Sequence, residues 1–130
     1  MKSAILAFAL TAAPVLAETP MSAEAFEAYS TGKTLTFGEL GRPYGAEQYL
    51  PNRRVRWSFL DGQCKEGQWF EDRGLICFVY DDDPTAQCWS FFETPNGLEA
   101  RFENDPEDLT LYVAKESPEP LMCIGPDVGV

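Results

Sequence analysis

The sequence predicts a mainly β domain: an antiparallel meander, forming a small barrel or a curved sheet, with one short N-terminal helix and two disulfides. Three observations predict it. Apolar and polar residues alternate with period two in successive short runs from Lys33 to Val113. Gly, Pro, Asn and Asp clusters interrupt those runs about every 8–12 residues, the spacing of a small sandwich or barrel. Four cysteines, Cys64, Cys77, Cys88 and Cys123, all follow an N-terminal segment with the pattern of an export signal.

The export signal comes first in the chain. Lys2 is its positive end, Ala4–Ala13 its apolar centre, and Val15-Leu16-Ala17 places small residues at the −3 and −1 positions of a cleavage site. Met1 to Ala17 is too short to span a bilayer, which takes about 20 apolar residues. Residues 1–17 are therefore expected to be a signal peptide, and residues 18–130 a single disulfide-tied β domain without a membrane span. The expected location is periplasmic or secreted.

Ser22 is placed to cap a helix running through Ser30. Acidic residues stand in its first turns, Phe26 and Tyr29 share one face, and Gly32 provides the stop. Lys33 to Phe37 then alternates, with Leu35 and Phe37 on one side. Gly38, Gly41 and Pro43 break the chain before a weaker strand from Tyr44 to Leu50. Arg53 to Leu60 alternates clearly: Val55, Trp57 and Phe59 face one way, Arg54, Arg56 and Ser58 the other. Asp61-Gly62 reads as a hairpin turn. Cys64 to Glu71 follows, anchored by Trp69, and Asp72-Arg73-Gly74 turns the chain. Leu75 to Tyr80 is continuously apolar. Asp81 to Pro84 is the expected turn into Gln87 to Phe92. Pro95-Asn96-Gly97 leads to Leu98 to Glu103, and Leu109 to Val113 closes the series before a Pro-rich tail.

The cysteine pairing follows from this order. Cys77 and Cys88 flank one expected hairpin turn, which favours Cys77–Cys88 with Cys64–Cys123 among the three pairings that four cysteines allow. No two of them form a C-x-x-C pair, so neither a zinc site nor a redox motif is indicated.

Composition removes several functions. Of the 130 residues, 21 are acidic and 10 basic, a net charge of −11, which disfavours nucleic acid as a partner. The chain has no histidine, which excludes Ser-His-Asp and Cys-His catalysis and histidine-ligated metals. No phosphate-binding glycine loop and no G-x-S-x-G motif occurs. No cofactor is expected.

Three groups remain as candidate sites. Arg53, Arg54 and Arg56 are a basic cluster that would suit an acidic partner, with Arg54 and Arg56 on the wet face of their strand; the alternative is ordinary pairing with acidic neighbours across the sheet. Trp57, Trp69 and Trp89 would line a cavity if the sheet closes around one; for a chain this small, the burial argument favours rings that fill the core. Asp81-Asp82-Asp83 offers carboxylates to calcium but lacks the spacing of a calcium loop, and reads as a solvated hairpin tip. Glu66 with Glu71, or Asp61 with Asp72, are the carboxylate pairs an acid/base mechanism would draw on.

Gly67-Gln68-Trp69, Gly74-Leu75-Ile76-Cys77-Phe78 and Cys88-Trp89 together resemble small exported Gram-negative proteins of unknown function. The resemblance spans residues 64 to 89, implies a periplasmic or secreted location and supplies no catalytic residue. The sequence thus leads to an exported, non-catalytic binding or interaction module with an unknown protein or small molecule as partner. The runner-up is a small lipocalin-like carrier of an apolar ligand, and a carboxylate-based hydrolase comes third.

Overall fold

The computed structural model describes residues 1, 4, 7–11, 18–105 and 109–124. The expected cleavage site, Val15 to Ala17, lies outside the described residues. One helix, α1 (Ala23–Ser30), precedes eight strands: β1 (Thr34–Glu39), β2 (Arg42–Tyr49), β3 (Arg54–Ser58), β4 (Lys65–Asp72), β5 (Leu75–Tyr80), β6 (Asp83–Thr94), β7 (Gly97–Phe102) and β8 (Thr110–Ser117). Each strand pairs antiparallel with the next, and β1 pairs with β8, so the meander closes into a barrel. Closure removes the bare edges an open sheet would present. Among the described residues, no helix is long and apolar enough to cross a membrane.

The alternation read from the sequence becomes the inside and outside of the barrel. Leu35, Tyr49, Val55, Trp69, Ile76, Phe78, Phe91, Leu98, Ala100 and Leu111 are buried in one continuous core. Ile76 stands opposite Trp89 and Cys77 opposite Cys88. Ile76, Phe78, Tyr80, Trp89 and Phe91 therefore share the inner face, and the Cys77–Cys88 disulfide sits in register on the other.

Several turns differ from the expectation. The break expected at Gly38–Pro43 is a tight hairpin through Leu40-Gly41, and Pro43 lies within β2 beside a bulge at Phe37/Gly38. Asp61-Gly62 is not a two-residue turn. β3 ends at Ser58 and β4 begins at Lys65, and Cys64, in the loop between them, binds Cys123. The turn expected over Asp81–Pro84 shortens to Asp81-Asp82, because Tyr80 already pairs with Asp83 and β6 starts there. The Arg73-Gly74 turn is as expected. Its two central residues have φ of 52° and 80°, the combination that matches the natural twist of a hairpin and that glycine adopts without strain.

Helix α1 closes one end of the barrel. Ser22 caps it, its hydroxyl accepting from Ala25 N–H at 3.1 Å. Phe26, fully buried, enters the barrel and meets Tyr49, Trp69, Phe78 and Phe91 at ring-centroid distances of 4.4–6.4 Å. Around this plug, Met21 N–H donates to Phe91 O, Gly32 N–H donates to Tyr49 O, and Arg53 reaches Glu27 at 2.5 Å.

The C-terminal tail straps two strands and a loop from outside. Thr34 of β1 donates to Glu119 O, Leu121 N–H donates to Gln48 of β2, and Ile124 N–H donates to Gly62 O in the β3–β4 loop. The Cys64–Cys123 bond fastens its end.

Candidate functional site

An eight-stranded barrel has an interior that its own side chains can fill or that can hold one small ligand. Here both occur, at opposite ends. The α1 end is solid with Phe26 and Trp69. The other half contains a cavity of about 80 Å³, enough for several waters or a small molecule. Tyr49, Phe78 and Phe91 form its floor against the plug, Phe37, Trp57 and Trp89 its walls, and Tyr44, Phe59, Lys65 and Gln87 stand around it toward the mouth. Phe59 is half exposed there, edge-on to Trp57 and Tyr44.

Two glycines shape the wall. Gly45 of β2 lies beneath Trp57, and a Cβ at Gly45 would stand 2.2 Å from the indole. Gly67 of β4 faces Tyr80 in register, and a Cβ there would stand 2.8 Å from the Tyr80 ring. Each absent side chain lets a ring lie flat against the neighbouring strand. The barrel wall stays closed while the centre stays open.

One carboxyl faces this interior. Glu47 of β2 is 2% exposed and lines the cavity between Leu35 of β1 and Trp57 of β3. The Tyr80 hydroxyl crosses from β5 and donates to its two oxygens, at 3.0 and 3.1 Å. Burial pushes the Glu47 carboxyl up to about 8, against the opposing pull of the Tyr80 bond. Burial first, and then the Glu47 charge, raises Tyr80 and Tyr49 above the ordinary phenol range. Burial and then Glu39 raise Tyr44. Near neutral pH the interior of the chamber thus holds a protonated carboxyl and three phenols, with the charge of Lys65 at the mouth paired to Asp82.

Comparison of the chain with protein-family models, curated proteins and solved structures finds no match. The site is therefore read from its own chemistry.

The residues singled out from the sequence separate in space. Trp57 and Trp89 line the cavity, whereas Trp69 sits beneath the helix plug, with the Arg53 guanidinium 4.4 Å from its ring. The size argument for a filled core thus holds at one end of the barrel and fails at the other, where the Gly45 and Gly67 contacts hold two rings against the wall. The three arginines do not form one cluster. Arg53 turns to Glu27 of α1; Arg56 binds Glu66 at 2.6 Å and approaches Gln48 on the outer face; Arg54 is exposed, opposite Gln68. At the acidic hairpin, Asp82 pairs with Lys65 at 3.0 Å and Asp83 accepts from Thr85 N–H. Among the described residues, no three acidic or cysteine side chains converge as a metal site would require. Of the carboxylates considered for acid/base chemistry, Asp61, Glu71 and Asp72 are exposed, and Glu66 is held by Arg56.

Glu47 was not singled out in the sequence. The signal for it is the phase of β2: Gly45, Glu47 and Tyr49 alternate, and an inward Tyr49 places Glu47 inward as well.

Proposed function

We propose that this protein binds one small molecule inside its barrel, as a lipocalin-like carrier or sensor module without catalytic chemistry. The observation that carries this reading is the cavity itself: closed below by Phe26, walled by aromatic rings, open at the end away from α1, and furnished with one buried polar couple, Glu47 and Tyr80. Ligand sites are characteristically concave and mostly apolar, with a few placed polar groups that fix orientation. The outer-face reading has less to support it, because Arg56 is committed to Glu66 and Arg54 is left without its expected neighbours. All four cysteines are oxidised, which supports an oxidising compartment, the periplasm or the exterior.

The three tryptophans provide the test. Two-dimensional NMR of the oxidised protein is recorded during titration with 1-butanol, cyclohexanol, n-butylamine and sodium butyrate. At least one probe is expected to move the indole N–H signals of Trp57 and Trp89 saturably while leaving Trp69 in place. Shifts that are linear up to the solubility limit for every probe, or that move Trp69 equally, would overturn the reading.

A further inference from the structure

Resting on the cavity as a ligand site, we propose that its ligand is a small primary ammonium ion with a short apolar body, seated with its charge on Glu47 and its body against the aromatic walls. Four observations converge on this class.

The polar couple has unused capacity. Both Glu47 oxygens share a single donor, the Tyr80 hydroxyl, whereas a carboxylate accommodates about four hydrogen bonds. An ammonium group brings three donors to one place. The walls suit a cation as well: the faces of Trp57, Trp89, Phe37 and Tyr44 carry the negative side of the aromatic quadrupole. Nothing inside competes. The cation lining the cavity, Lys65, is exposed and already paired with Asp82. Finally, a net charge of −11 raises the concentration of cations around the protein.

The proton balance is definite. The titratable groups that line the cavity with Glu47 are Tyr44 and Tyr49 of its own strand and Tyr80 of β5, all neutral at working pH, and Lys65 toward the mouth. In the empty barrel the buried Glu47 carboxyl keeps its proton near neutrality. An entering ammonium ion supplies the countercharge. Glu47 then ionises, its proton leaves to solvent, and the ammonium keeps its own three. Uptake at pH 6.5 therefore releases close to one proton per ligand.

The test compares three probes of nearly one shape on the intact oxidised protein: n-butylamine, 1-butanol and sodium butyrate, by calorimetry in two buffers of different ionisation enthalpy. Butylamine is expected to bind at least about tenfold more tightly than butanol, a difference of about 1.4 kcal/mol, with butyrate weakest and with proton release seen only for the amine. Glu47→Gln, which keeps the volume and the bond from Tyr80, is expected to bring amine and alcohol to similar affinity and abolish proton release. Its circular dichroism and melting temperature verify that it folds. Butanol or butyrate binding as tightly as butylamine, or a Glu47→Gln variant that keeps the amine preference, would overturn the amine assignment and leave the cavity reading standing. Absence of binding by all three and by cyclohexanol, with Trp57 and Trp89 unmoved, would overturn both.

Discussion

Trp57 rests on Gly45 so closely that a methyl group at residue 45 would sit 2.2 Å from the indole and 2.9 Å from the Ser58 carbonyl oxygen. Neither neighbour can give way cheaply, since one is a ring wedged between Phe37 and Phe59 and the other is backbone. Gly45→Ala should therefore drive the indole toward the cavity. The expected outcome is a loss of about 1–3 kcal/mol, the usual cost of overpacking, with a shifted Trp emission and weakened probe binding. Urea titration followed by fluorescence measures both. Wild-type stability and emission in the variant would mean that the ring does not lie as described.

Glu47 makes stability depend on pH in a defined direction. Its carboxyl titrates near 4.5 when unfolded and is pushed up to about 8 when folded. Between those values the folded state holds a proton that the unfolded state has lost, so stability is full below pH 4.5 and declines as pH rises toward 8. At about 1.36 kcal/mol per tenfold change, the total decline from this group is about 5 kcal/mol at most. Glu47→Gln removes the ionisable group. Its melting temperature should exceed that of wild type at pH 8.5 and match it at pH 5. Parallel melting curves across that range would contradict the buried carboxyl.

The helix plug can be tested separately from the cavity. Phe26 is fully buried against four rings. Phe26→Ala should cost about 3–5 kcal/mol, as for other buried aromatic truncations. It should also accelerate amide exchange in α1, of which Phe26 is the largest buried side chain. A loss below about 1 kcal/mol would show that the helix is not a structural part of the barrel.

The two disulfides should contribute unequally. Chain-entropy arguments give about 3 kcal/mol for the 11-residue separation of Cys77–Cys88 and about 4 kcal/mol for the 59-residue separation of Cys64–Cys123. Replacing Cys64 and Cys123 by Ser should be the costlier change and should leave the hairpin intact. It should also expose Thr34, which is buried on the outer face where the tail runs and donates to Glu119 O. Chemical denaturation with proteolysis of the tail reads both effects. Equal stability of the two double variants, with a protected tail, would argue against the strap.

Local rules placed most of the frame. Ser22 and Gly32 bracket the helix because capping and stopping are short-range effects. β5 runs from Leu75 to Tyr80 in both sequence and structure because a continuous apolar run between two turn signals has little freedom. The pairing of Cys77 with Cys88 followed from the hairpin they flank. What stayed hidden depends on contacts between distant strands. Trp57 and Trp69 are alike in sequence, yet one faces a cavity and the other a phenylalanine delivered by a helix some forty residues earlier. Glu47 was passed over because β2 is weak by composition, and its partner Tyr80 lies three strands away. The arginines are neighbours in sequence but their side chains have separate partners, Glu27 for Arg53 and Glu66 for Arg56. Positive φ at Asn52 and Arg53 turns the first of them out of line with β3 and toward Glu27 of α1.

The seam between β1 and β8 has a consequence for how the molecule is made. Every other strand pair joins neighbours in the chain, but this one joins Thr34 to Ser117. Such a long loop must close before its contacts can repay the lost entropy, so the seam is the slow step of a meander like this one. A chain emerging from a ribosome or a membrane channel N-terminus first presents β1 early, with one edge unpaired. Until β8 follows, that edge is open to strands of other molecules. The fold is finished only by its last strand, and a chaperone acting on the nascent protein would find its target in the bare flank of β1.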